Sequence, residues 1–186
     1  MHSDIYAEKD NFSELLSTKF ELRIISVGDL IRTEYKSGSE IGIKIKEYID
    51  NGTLIPTEFV NSILENEILI DNKDILIVNY PSTEELFHGF TSLVNHLEII
   101  IDKIWHLKLT NLDYVTQKEL INLGEIYTAK YEITNDTLKE KIKVKQENVN
   151  KIIELWKRDN RIITIDVDYE NNSDMRTYFS GQIKSA

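Results

Sequence analysis

The chain has 186 residues, with 32 acidic side chains against 22 lysines and arginines and a net charge of −10. This acidic balance argues against binding to nucleic acid or to an anionic membrane, because both need clustered basic residues. The sequence contains no cysteine, which excludes disulfides, thiolate zinc sites and thiol nucleophiles.

Short runs rich in Ile and Val alternate with segments of helical periodicity, which predicts buried strands between helices. In chain order, the predicted elements are a helix over 12–20, a strand at Leu22–Val27, helices over 30–35, 41–49 and 59–64, a strand at Ile75–Tyr80, a helix over 86–97, strands at Ile104–Leu109 and Ile162–Val167 with the long helix Thr137–Arg158 between them, and a final helix from Ser173 and Asp174. The long helix has the clearest apolar stripe.

This alternation predicts an α/β fold of three layers, with a mostly parallel sheet of about four strands and helices on both faces. Its length suits one domain over residues 1–186. Functional loops in such folds follow the carboxyl ends of the strands. The loop residues at these positions are Gly28, Asp29, Pro81, Ser82, Asn111 and Asp168.

Ten positions between Ile25 and Pro56 form three spaced groups. They read Ser26-x-Gly28-Asp29-x-x-Arg32, Gly38-Ser39-x-x-Gly42 and Gly52-x-Leu54-x-Pro56. This pattern resembles the monophosphate-binding region of the adenylate kinase family. The resemblance implies an adenylate-kinase-like fold, with residues 30–66 as the monophosphate-binding helical insertion and 123–133 as a short lid remnant. It also implies an AMP-like half-site at Gly28, Asp29, Arg32, Leu54 and Ile55.

The chain departs from the family at the loop that would hold ATP. A P-loop needs closely spaced glycines followed by a lysine that reaches the phosphates. None of the seven glycines here is followed by lysine, and counting back from Gly28 puts Lys9 at the family's lysine between Glu8 and Asp10. Only two residues precede Ser3 at the start of this loop, so we expect the P-loop strand to be missing.

Other phosphate-contacting positions differ in the same way. Where the family has a Pro-Arg motif, this chain has Ser82, and the preceding acidic position is Val78. Lysine stands at or near two further arginine positions, Lys130 in the lid-like segment and Lys141 in the long helix. We interpret Lys9, Lys130 and Lys141 as phosphate-site relics, because lysine lacks the planar fork that fits a phosphate.

One catalytic arginine is worth roughly 10³ to 10⁵ in the rate of phosphoryl transfer, so several losses predict an inactive relative. The hypothesis is a pseudoenzyme without catalytic residues or cofactor, which serves as a protein-binding or regulatory module for an unknown protein or as a homodimer. The alternative is a nucleotide-binding protein, or a weak nucleoside monophosphate kinase that converts ATP and AMP to two ADP. It would use a displaced site for AMP or for ATP with magnesium.

Neither a metal site nor a membrane segment is expected. The four histidines lack metal-ligand spacing, and Asp166 and Asp168 are typical of a half-exposed strand end, with cation binding as the alternative. No apolar run approaches the roughly 20 residues that span a membrane, and the start of the chain lacks the apolar core of a signal peptide. We therefore expect a cytoplasmic protein.

Overall fold

The computed structural model describes residues 1–4, 7–124, 131–157, 161–171 and 174–185. Its elements are β1 (His2–Ser3), α1 (Lys9–Phe20), β2 (Arg23–Ser26), α2 (Val27–Ser37), α3 (Glu40–Asp50), α4 (Thr57–Ile68), β3 (Ile75–Val78), α5 (Glu84–His96), β4 (Ile104–Leu109), α6 (Leu112–Leu123), α7 (Asn135–Trp156), β5 (Ile162–Val167) and α8 (Met175–Ser185). The strand pairs in these ranges are parallel. The predicted α/β fold with a parallel sheet and helices is confirmed.

Strands β4 and β5 have the predicted bounds, whereas β2 and β3 are shorter than their apolar runs. Helix α6 was not predicted, because its apolar residues do not form a clear stripe. Its first turn is stabilised by the side chain of Asn111, which accepts a hydrogen bond from the Tyr114 backbone N–H at 3.0 Å. Two predicted helix-end residues, Arg158 and Ser173, lie outside the described residues.

The expectation of a missing first strand needs correction. Two residues form β1, in which His2 pairs with His106 of β4 and Ser3 pairs with Leu107. The Asp4 backbone N–H extends this pairing with a 2.9 Å hydrogen bond to the Leu107 carbonyl. Sequence patterns cannot reveal such a strand, because two residues are too few to show alternation and backbone pairing does not depend on side-chain type.

The chain divides into two compact units, and one of the boundaries between them falls inside α1. The first unit comprises Met1 and residues 17–102, and the second comprises residues 2–16 and 103–186. The predicted arrangement of one domain, with an insertion over 30–66 and a lid remnant over 123–133, stays a prediction. Residues 125–130 of that lid segment lie outside the described residues.

The first unit is organised around the pair of β2 and β3, which are aligned from Arg23 opposite Ile75 to Ser26 opposite Val78. The backbone of Met1 adds to β3, since its nitrogen donates to the Ile77 carbonyl and its carbonyl accepts from the Asn79 N–H. These bonds satisfy backbone groups that the two-stranded pair leaves open on that side.

Arg23 connects β2 to the end of α4. Its guanidinium donates to the Glu67 carboxylate at 2.5 Å, to the Asp71 carboxylate at 3.3 Å and to the Glu67 carbonyl at 2.8 Å. Its side chain is only 19% exposed. A buried arginine needs such partners, and the positive charge also suits the negative end of a helix.

Helices α4 and α5 are in close contact at Gly89. A Cβ atom at this position would lie 2.1 Å from Cγ2 of Thr57 and 3.1 Å from Nδ2 of Asn61. Asn61 uses the space to donate a 2.9 Å hydrogen bond to the Gly89 carbonyl. The contact therefore depends on the absence of a side chain at residue 89.

The second unit packs helices against the three-stranded sheet β1-β4-β5. Phe12 of α1 lies edge-on against Trp105 of β4 and Phe179 of α8, with ring centroids 5.4 and 5.0 Å apart. Leu107 and Val167 in the strands have no exposed surface. This aromatic and aliphatic packing forms the core of the unit.

The close approach at Gly89 predicts that Gly89→Ala lowers the free energy of unfolding by about 1–3 kcal/mol through overpacking. Gly181→Ala in α8 is the matched control, because nothing lies within 4 Å of the added methyl group. Higher helix propensity should make it neutral or stabilising by up to about 1 kcal/mol. Urea unfolding followed by tryptophan fluorescence measures both variants, and equal effects would contradict the close contact.

Candidate functional site

Gly28, Asp29 and Arg32 come together in the first turns of α2, directly after β2. Arg32 donates to the Asp29 carboxylate, and both side chains are 67% exposed. The Arg32 guanidinium lies beside Gly28, where an added Cβ would be 3.4 Å from Nη1. The glycine thus leaves room for the guanidinium along the helix, and Asp29 holds it there in an exposed ion pair.

This arrangement can bind a phosphate. An arginine fork matches two phosphate oxygens, and the N-terminal turn of a helix favours negative charge. Asp29 already uses part of the fork, so an incoming anion must exchange with its carboxylate. An exposed ion pair contributes at most about 1 kcal/mol, so this exchange costs little.

Leu54 and Ile55 lie in the separate turn between α3 and α4 of the same unit. Gly52 has a φ of 65°, and the Thr53 backbone N–H donates to the Tyr48 carbonyl at 2.9 Å. Leu54 is 81% exposed and Ile55 is half-buried. The turn therefore presents an apolar side chain to solvent, which suits contact with the flat face of a base.

The Gly38-Ser39-x-x-Gly42 group has a structural explanation. Gly38 ends α2 with a φ of 72°, and Ser39 caps α3 by accepting a 2.9 Å hydrogen bond from the Gly42 N–H. A Cβ at Gly42 would lie 2.2 Å from the Glu34 carbonyl oxygen. These residues hold α3 close against α2 and need not contact a ligand.

Two of the predicted phosphate-site relics, Lys9 and Lys141, belong to the second unit. Lys9 pairs with the neighbouring Asp10, and Lys141 lies on the exposed surface of α7. Lys130 lies outside the described residues. The role of all three lysines as phosphate contacts stays a prediction, as does the half-site in the first unit.

The sequence analysis missed a buried polar contact at Tyr80. The Tyr80 hydroxyl donates to Oδ1 of Asn61 at 3.1 Å, and its ring lies edge-on to Phe90 at 5.5 Å. Burial raises the pKa of the Tyr80 phenol, so it remains a hydrogen-bond donor. The adenylate kinase family has Phe at the position of Tyr80, directly before its Pro-Arg motif. The added hydroxyl group of Tyr80 was therefore the signal in the sequence that could have indicated this contact.

The rim residues of the second unit have local structural roles. Asn111 caps α6, and Asp168 accepts hydrogen bonds from the side chain and backbone of Asn171 and from the backbone of Glu170. The Asn171 side chain in particular holds the pKa of the Asp168 carboxyl below its ordinary value. Among the described residues, no three His, Asp or Glu side chains are grouped to hold a metal ion.

None of the described helices combines the length and apolar composition that crossing a membrane requires. Parallel strands joined by helices define an α/β protein, in which the exposed Arg32 lies just after a strand-to-helix turn. The known proteins that this chain resembles make the class more specific.

The model of the adenylate kinase family matches residues 7–161. The adenylate kinase of Prochlorococcus marinus strain NATL1A is 29% identical over 174 residues, which cover 94% of this chain and 90% of that protein. The adenylate kinase of Nautilia profundicola is 28% identical over 178 residues, covering 95% and 79%. The chain belongs to the adenylate kinase family, and this confirms the resemblance drawn from its motifs and supports a function of the nucleoside monophosphate kinase type.

The Tyr80 contact predicts that Tyr80→Phe lowers the free energy of unfolding by about 1–2 kcal/mol, because Asn61 loses a buried donor. Tyr35→Phe is the control, since the Tyr35 hydroxyl bonds the exposed Asp50 carboxylate at 3.1 Å. Its loss should stay within about 0.5 kcal/mol. Chemical denaturation of both variants tests the difference, and a Tyr80→Phe variant as stable as the parent would contradict it.

Proposed function

We propose that the chain is a nucleotide-binding member of the adenylate kinase family that binds a nucleoside monophosphate in its first unit. The observation that carries this proposal is the exposed Arg32 guanidinium, held beside Gly28 by Asp29. Phosphoryl transfer from ATP to AMP is then weak at most.

The half-site offers two kinds of contact. Arg32 supplies a charged fork for the phosphate, and the exposed Leu54 supplies apolar surface for the base. Ile55 lies next to Leu54 in the same turn and is half-buried. AMP is the simplest ligand with both chemical features.

The residues at the family's ATP-binding positions explain why phosphoryl transfer should be weak. The chain has no Gly-Lys step for a P-loop, and Ser82 stands at an arginine position of the family. Lys9, Lys130 and Lys141 would have to substitute in a displaced site, and lysine offers a point charge without a bidentate fork. Magnesium would accompany ATP there to offset the phosphate charge.

A second candidate is a pseudoenzyme that binds a protein partner or a second copy of itself. Three apolar side chains in the described part of the chain favour it, because they are exposed far more than a core residue would be. They are Leu54 at 81%, Ile121 at 79% and Ile100 at 87%. For either candidate the cytoplasm is the location that we propose.

AMP at 100 times its dissociation constant should stabilise the protein by about 2.7 kcal/mol, or roughly 5–10 °C in a thermal-shift assay. Arg32→Ala should weaken AMP binding by about 10- to 100-fold, because a charge-assisted contact is lost. Arg176→Ala is the matched control, since Arg176 is 62% exposed and pairs with the 63% exposed Glu14.

Equal AMP affinity for the two arginine variants would contradict a role for Arg32. No AMP-dependent shift in the parent protein would instead favour the pseudoenzyme. A coupled assay of ADP formation from ATP and AMP, with and without magnesium, then measures transfer. Turnover in the ordinary range of kinases, about 1–100 per second, would contradict the weak-transfer proposal.

A further inference from the structure

The second unit contains a buried polar layer that the proposed nucleotide site does not use. His2 is paired with His106, and Asp4 follows two residues after His2. Paired residues of parallel strands, and alternate residues of one strand, point to the same face of a sheet. His2, Asp4 and His106 therefore share one face, and their exposures are only 4%, 4% and 3%.

Helix α7 covers part of this layer with two hydrogen-bond donors. Nε1 of Trp156 donates to Nε2 of His2 at 3.2 Å, and Nε2 of Gln146 donates to Oδ2 of Asp4 at 3.0 Å. The Leu109 backbone N–H donates to the same Asp4 oxygen at 2.9 Å. These bonds attach the residues of β1 to both α7 and β4.

The contact with Trp156 determines the charge state of His2. An indole nitrogen can only donate, so Nε2 of His2 must be unprotonated and the imidazole neutral. Burial, together with smaller contributions from the amino group of the adjacent Met1 and from His106, lowers the pKa of His2 to about 3. Protonation of Nε2 would turn the Trp156 contact into two opposed donors.

His106 and Asp4 each keep one buried atom without a hydrogen-bond partner, Nε2 of His106 and Oδ1 of Asp4. Burial lowers the pKa of His106. Asp4, which follows β1, and Asp166 on β5 raise it, and Lys108 on its own strand lowers it. The two carboxylates attract a proton to His106, but burial opposes the charge more strongly.

We propose that His2, Asp4 and His106 form an acid-sensitive switch that holds β1 against β4 and α7 at neutral pH and releases it when both histidines are protonated. Two positive charges would then face each other across paired strands, and His2 would lose its bond from Trp156. Because β1 has only two residues, few backbone bonds oppose its release. The switch acts in the second unit and does not depend on the proposed nucleotide site.

The sign of the pH dependence follows from the two histidines. Both have a lower pKa in the folded protein than the ordinary value of 6.5, so the unfolded or released chain binds more protons. The stabilisation is complete above pH 6.5 and is lost as the pH falls toward the folded values. Each histidine changes the equilibrium by up to about tenfold per pH unit in that window.

Amide hydrogen exchange at pH 7 and pH 5, corrected for intrinsic exchange, tests the switch in the intact chain. The reporters are the amides of Asp4 and Leu109, whose acceptors are the Leu107 carbonyl and the Asp4 carboxylate. We expect their protection to fall by about 100-fold at pH 5, while amides in α8 lose much less.

The test variant is His2→Gln with His106→Gln, in which the acid-dependent loss should be at least about tenfold smaller than in the parent, because the imidazoles no longer titrate and only the buried Met1 amino group still does. The control is His88→Gln with His96→Gln, because both of these histidines are exposed on α5. The control variant should retain the full acid response of the parent.

Three results would overturn the proposal: unchanged protection of Asp4 and Leu109 in the parent at pH 5, an equal loss at every amide, or the same acid response in the test variant. If the test variant fails to fold, NMR titration of the parent imidazoles decides. The His2 and His106 signals should then shift together with the loss of Asp4 amide protection. Loss of protection while both imidazoles stay neutral would also reject the switch.

Discussion

The parallel pairing of β4 with β5 is the constraint on which the second unit depends. All six residues of β4 are aligned with β5, from Ile104 opposite Ile162 to Leu109 opposite Val167. Parallel strands cannot be joined by a tight turn, so the chain must return over the sheet through α6 and α7. The same pairing directs Trp105 and Leu107 into a core that α1 and α8 cover, and it offers an edge for β1.

In the first unit, some residues of the family pattern have packing roles and others are exposed to solvent. Gly38, Ser39 and Gly42 end one helix, cap the next and let the two pack closely. Arg32 has no comparable structural duty, since it lies exposed in an ion pair with Asp29. Such packing motifs have structural roles of their own, so their presence does not by itself indicate ligand binding.

Charge is distributed differently over the surface and the interior. The surface ion pairs of Arg32 and Arg176 are open to solvent and contribute little to stability. His2, Asp4 and His106 are buried, so each change of charge there occurs away from water and costs much more. In a protein with a net charge of −10, the two buried histidines are therefore sites where the uptake of a proton is costly.

The sequence by itself determined the α/β class, the bounds of β4 and β5, the long helix and the family to which the chain belongs. These features depend on short-range apolar periodicity and on spaced glycines, which are local properties of a chain. Helix α6 was not predicted because its apolar residues form no clear stripe. Strand β1 was not predicted because two residues are too few to show a pattern. The position of the Arg32 guanidinium beside Gly28 was not predicted from the spacing.

Only the tertiary structure decided which polar residues are buried and what they contact. No sequence pattern indicates that His2 lies beside His106, yet strand pairing 104 residues apart places both on one covered face, whereas His88 and His96 are exposed. Tyr80 likewise meets Asn61 only because α4 packs beside α5. Burial and hydrogen bonding between distant segments depend on how the elements pack, and this information is not contained in any single stretch of the sequence.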